Sequence, residues 1–175
     1  MYIKLSHLRS KQLNRTPTIS TEKGRNMVEI IEPQKVNATL AKPEIVEGLK
    51  ALTTFFTNWE KVFRDNSAVT LGSEVFGEFS RGCKREQVWA EQIKKQLNTR
   101  NKEIKRALAL IEDIRKNMKT SADQADDIAY RSARRSGEQG VATNVWCMNQ
   151  CKHILDRLAA INALVRQEEA AAAAR

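Results

Sequence analysis

Three stretches of the chain set apolar residues at alternating steps of four and three, a heptad rhythm that holds one stripe of a helix against a neighbouring helix. The first is Ile45, Leu49, Leu52, Phe56, Trp59 and Phe63; the second is Ile93, Leu97, Ile104, Ala107, Ile111, Ile114 and Met118; the third is Cys147, Cys151, Ile154, Leu158, Ile161 and Val165. Such helices need partners. The expected fold is all-α, an antiparallel helical bundle built on a long helical hairpin with heptad packing.

The 175 residues are 41% hydrophobic, enough for one core and too few for two. The formal net charge of +9 favours anionic partners and also aids solubility. It is unevenly placed. Residues 1–26 hold Lys4, Arg9, Lys11, Arg15, Lys23 and Arg25 against Glu22 alone, so the remainder of the chain is only mildly basic. This segment is rich in Ser and Thr and poor in large apolar residues, and cannot bury enough surface to offset the entropy of ordering. Residues 1–43 therefore read as a basic tail and a connecting strap. The tail's composition also has the character of a mitochondrial transit peptide, and Met27 offers an alternative start. No apolar run is long enough for a membrane span, and the expected location is cytoplasmic.

Pro43 suits the first turn of a helix, and Glu44 and Glu47 suit its positive end, so the first helix is expected over about 44–65. Its apolar face is broad. Phe55, Phe56, Trp59 and Phe63 offer more aromatic area than one groove should hide, and are expected to form an assembly interface. Asn66–Gly82, with Gly72, Gly77 and Gly82, reads as a loop and short helix closing the bundle; it lacks the pattern of a phosphate-binding loop. A second helix is expected over about 84–119. Ser121 with Gln124 forms a capping box, and Asp123, Asp126 and Asp127 favour a new helix N-terminus, so the chain should turn near residue 120 into a third helix over about 122–168, continuous or kinked, with a break at 136–140 as the alternative. Folding that hairpin sets Ile104 beside Gly137 and Arg100 beside Gly140. The glycines then give room at the seam, and Arg100 fixes the register. Bundle residues end at 169, followed by an Ala-rich extension over 170–175.

The same hairpin sets Lys102, Lys105 and Arg106 level with Arg131, Arg134 and Arg135, a positive band fit for phosphate or for the acidic face of a partner. A second basic group is Arg81, Lys84, Arg85, Lys94 and Lys95. No aromatic stacking platform or recognition motif is evident beside the band, so nucleic-acid contact would be independent of sequence. Cys147 and Cys151 lie one turn apart in the seam and read as small core residues; with Cys83 and His153 they make a weak metal signal. Only His7 and His153 are histidines, and neither follows a glutamate at the spacing of bundle metal enzymes. No nucleophile motif or unexplained carboxylate pair is present. The expectation is a non-enzyme without cofactor or metal, acting in a homo-oligomer or larger assembly, with sequence-independent nucleic-acid binding as the alternative.

Overall fold

Pro43 opens a helix at no cost in hydrogen bonds, because the first-turn N–H groups have no partner within the helix. In the computed structural model, helix α1 (Pro43–Asp65) starts there, with Glu44 in its first turn. It ends at Asn66, whose Nδ2 donates to the Val62 carbonyl (2.8 Å). The structure describes residues 39–97, 101–134 and 140–174, with backbone alone at 132, 134 and 140–142. The expectations placed on residues 1–38, and those on Arg100, Arg135 and Gly137, lie outside the described residues.

Helix α2 (Ser73–Gln96) follows, then α3 (Lys102–Arg134) and α4 (Gly140–Ala173). All regular structure among the described residues is helical. No helix there is long and apolar enough to cross a membrane. The helices pack around a square: α1 meets α2 and α4, and α3 meets α2 and α4, whereas the diagonal pairs have no backbone contact among the described residues. Each neighbouring pair runs antiparallel. Phe55 lies against Gly82 while Gly48 lies against Ile93. Across α2 and α3, Lys84 pairs with Asp126 and Lys94 with Glu112. Asp113 of α3 takes Arg157 of α4. Asn144 near the start of α4 holds the chain just beyond α1, and Glu168 near its end holds the chain just before α1.

The residues of the three stripes are buried, Trp59 alone being half-buried. The elements carrying them differ from expectation in four ways. Residues 66–72 are the expected loop, but the helix after it is long rather than short: Gly77 and Gly82 lie within α2, because Phe76, Phe79 and Cys83 extend the stripe of Ala90 and Ile93 backward in the same rhythm and are buried. The expected second helix over 84–119 is two helices, separated after Leu97. Asn101 accounts for the restart, since its Oδ1 accepts the Glu103 N–H at 2.8 Å, as a helix N-cap does. The turn near residue 120 is absent. Met118, Ser121, Ala122 and Ala125 are all buried within α3, so the helix gains more by burying this small-residue stripe than by capping at Ser121. A continuous helix over 122–168 is excluded too, because α3 and α4 are antiparallel neighbours.

The chain entering α1 is fastened to α4. The Glu168 carboxylate accepts the N–H groups of Thr39 (2.9 Å), Leu40 (2.6 Å) and Ala41 (3.0 Å), and Leu40 is buried beneath them. At its far end α4 continues through the Ala-rich run to Ala173.

Candidate functional site: an aromatic groove between α1 and α2

Phe55 and Trp59 stand one helical turn apart on α1, beside the buried stripe rather than within it, and both are half-buried. Phe56 and Phe63 have no exposed surface. Phe63 stacks on Phe76 with ring centroids 6.1 Å apart and meets Phe79 edge-on at 5.1 Å; Phe55 lies parallel to Phe79 at 6.4 Å. Most of the aromatic face expected to meet a partner is therefore covered by α2, and the interface expectation is corrected for Phe56 and Phe63. Phe55 and Trp59 retain surface to offer.

Gly82 makes the groove between them. A Cβ there would stand 2.6 Å from the Phe55 ring and 3.8 Å from the Trp59 Nε1. The absent side chain lets the phenyl ring rest on the α2 backbone. The resulting half-open groove, of about 310 Å³, is lined by Phe55, Trp59, Glu78, Arg81, Gly82 and Arg85.

Its polar rim is rich in donors. Arg81 and Arg85 are one turn apart and exposed. Arg81 lies over Gly77 and has no carboxylate within 4 Å among the described residues. Arg85 donates from Nε to Glu86 Oε1 (3.0 Å), which leaves its two terminal nitrogens for another acceptor. The Trp59 indole N–H has no hydrogen-bond partner among the described residues. Glu78 is the acid on the groove wall. Such a surface can hold an anion with an apolar neighbour; it contains no nucleophile paired with a base.

The basic band expected from the hairpin is not formed. Lys102, Lys105 and Arg106 stand exposed at the start of α3, and Arg131 is exposed near its end. With no turn near residue 120, Arg106 and Arg131 are separated along the helix by roughly 38 Å at 1.5 Å per residue. Arg131 instead pairs with Asp127, one turn before it (2.9 Å). Of the second basic group, Lys84 and Lys94 are engaged across the α2–α3 seam by Asp126 and Glu112. Arg115 donates to Glu112 (2.6 Å) and reaches Glu91 of α2 at 3.4 Å. The Arg115 hydrogen bond first, and that from Lys94 second, hold the Glu112 carboxyl down at about 2. The Lys84 ammonium is the main cause that lowers Asp126.

Of the register residues, Gly140 opens α4, while Arg100 and Gly137 lie outside the described residues. Asn144, one heptad step before Cys147, is fully buried: its Nδ2 donates to the carbonyls of Asn66 (2.8 Å) and Val69 (2.7 Å). The thiols of Cys83, Cys147 and Cys151 are free and buried. Burial raises all three, Cys147 to about 12, which keeps them protonated and poor as nucleophiles. No group of three or more ligating side chains among the described residues is arranged to hold a metal ion.

Sequence reasoning named Phe55, Trp59, Arg81 and Arg85 but not their proximity. The signal that could have joined them is the stripe Phe76, Phe79, Cys83, Ala90, Ile93, whose rhythm extends α2 upstream and brings Arg81 and Arg85 beside α1. Comparison with known proteins yields no match to a family model, to a curated protein or to a solved structure. The fold and groove thus define a class, an all-helical bundle with a donor-rimmed aromatic groove, and the functional argument rests on that groove.

Proposed function

We propose that this protein is a non-enzymatic structural or adaptor protein that forms part of a homo-oligomer or larger assembly. The observation that carries this reading is the groove at Phe55 and Trp59, where aromatic surface and donors without partners remain after the core has been filled. Buried aromatic anchors ringed by polar groups are the usual energetic centres of protein interfaces. The bundle behind it suits a mount: three ion pairs cross the α2–α3 seam and one crosses α3–α4. The same reading takes the stripes to interlock as heptad knobs in holes and keeps the cytoplasmic location expected from the sequence.

Sequence-independent nucleic-acid binding is the reading to be told apart. Its support is the basic stretch over residues 1–26, whereas Lys84, Lys94 and Arg131 of the helices are each matched by an acid. Size-exclusion chromatography with light scattering, at low and high salt, separates the two. The expected result is a mass that is a multiple of 19.9 kDa at both salt concentrations, and no shift of single- or double-stranded nucleic acid. Phe55→Asp and Arg85→Glu should each disperse the oligomer while helical content is retained. A monodisperse monomer at high protein concentration, or nucleic-acid binding that falls steeply with salt, overturns the reading.

A further inference from the structure

We infer that the α1–α2 groove binds a single carboxylate carried on an apolar segment of a partner protein, with the acid held by Trp59, Arg81 and Arg85 and its apolar neighbour resting on Phe55. This deepens the adaptor reading and depends on it.

Three independent features of the groove select that chemistry. Trp59 can only donate, and its Nε1 lies 3.8 Å from where a Cβ on Gly82 would stand, on the groove wall beside the Phe55 ring that covers Gly82. Arg81 and Arg85 line the same groove: Arg81 has no carboxylate within 4 Å among the described residues, its electrostatic partner being the more distant Asp126, and Arg85 keeps its terminal nitrogens unengaged by Glu86. Guanidinium forks match a carboxylate in geometry as well as charge. The floor is apolar, and the Phe55 ring over Gly82 is shaped for a flat or branched side chain beside the acid.

Local charge then distinguishes a single acid from a polyanion. Glu78 lines the groove, and Glu86 stands beside Arg85, so the two arginines are offset by two acids. A nucleic-acid backbone would bring successive phosphates against those glutamates. One carboxylate does not, and Glu78 is left to accept an N–H from the segment that carries it.

The test uses the full chain labelled with ¹⁵N. The three tryptophans give three indole signals, and that of Trp59 is assigned as the one lost in Trp59→Phe. The ligand is a short blocked peptide with one glutamate between leucine and phenylalanine; the controls are the same peptide with glutamine and a single-stranded oligothymidylate. The Trp59 signal should move saturably with the glutamate peptide, and affinity should drop about tenfold or more for the glutamine peptide, as loss of charge-assisted hydrogen bonds predicts. The double variant Arg81→Gln, Arg85→Gln should lose a similar factor with its melting temperature unchanged, because both side chains are exposed. Equal affinity for the two peptides, an unaffected double variant, or tighter binding of the oligothymidylate overturns the proposal. The oligomer that Arg85→Glu disperses should also dissociate on addition of the glutamate peptide, because peptide and subunit compete for the groove; an oligomer that no peptide displaces overturns the proposal. In that case the adaptor reading survives, whereas a monomer that binds neither peptide removes both.

Discussion

Gly82 and Gly77 occupy the same helix with opposite consequences for a methyl group. At Gly82 an added Cβ meets the Phe55 ring at 2.6 Å, and that ring is held by its stack on Phe79; at Gly77 the nearest atom is the Arg81 guanidinium at 3.3 Å, the free end of a flexible side chain. Alanine is favoured over glycine in a helix interior by about 1 kcal/mol. Gly77→Ala should therefore raise the melting temperature. Gly82→Ala should fall below it by roughly 1–3 kcal/mol in denaturant unfolding, because overpacking offsets the gain. Equal stabilities for the two variants would show that Phe55 does not lie on Gly82. The same scale explains what was not legible in residues 66–82: the glycines were read as marking a loop and a short helix, whereas the atom opposite each one decides whether a long helix tolerates it. Other buried polar atoms mark places where packing outweighed pairing. Glu60 takes Arg64 on one oxygen (2.8 Å), yet its other oxygen, the Ser121 hydroxyl and the Asn144 Oδ1 have no partner among the described residues.

At the scale of elements, α3 shows how local signals compete with a stripe. Ser121 and Gln124 have the spacing of a capping box, but Ala122 and Ala125 continue the buried seam after Met118, and the helix runs through. Proline inside a helix removes one hydrogen bond and clashes with the preceding turn. Ala122→Pro should thus cost about 3 kcal/mol or more in denaturant unfolding; a tolerated proline would restore the turn at residue 120. The end of α4 offers a second check. Glu168 accepts the backbone N–H groups of Thr39, Leu40 and Ala41, and leaving buried groups of this kind without an acceptor costs about 1–3 kcal/mol. Glu168→Ala should destabilise by that order, and hydrogen exchange at the amides of Leu40 and Ala41 should rise well before exchange in the middle of α1. Exchange unchanged at those amides would argue that Glu168 does not hold the turn. Helix starts were legible where side-chain chemistry is local, at Pro43. The break after Leu97 was missed because the heptad spacing from Leu97 to Ile104 spans it without a change of phase.

Across the whole molecule, the charges that cross helix seams tie stability to pH. The Glu112 carboxyl titrates at about 2 in the fold, against 4.5 when free of its partners. Its contribution is thus complete above about 4.5 and disappears as pH falls toward 2. Relative to the native chain, Glu112→Gln should melt at lower temperature at neutral pH, with the gap closing between pH 4.5 and 2; a gap that stays constant over that range would show that Arg115 and Lys94 do not hold the carboxylate. What the sequence alone determined is the all-helical fold, the identity of the three buried stripes and the start of α1, because periodicity and first-turn chemistry act over a few residues. Only the tertiary structure decided where the chain reverses, which helices are neighbours, and that Phe55 and Trp59 meet Arg81 and Arg85. A heptad stripe states that a helix needs a partner without naming it. The choice is made by how well all four helices bury their stripes together, and the same choice carried Lys102, Lys105 and Arg106 to the end of α3 opposite Arg131.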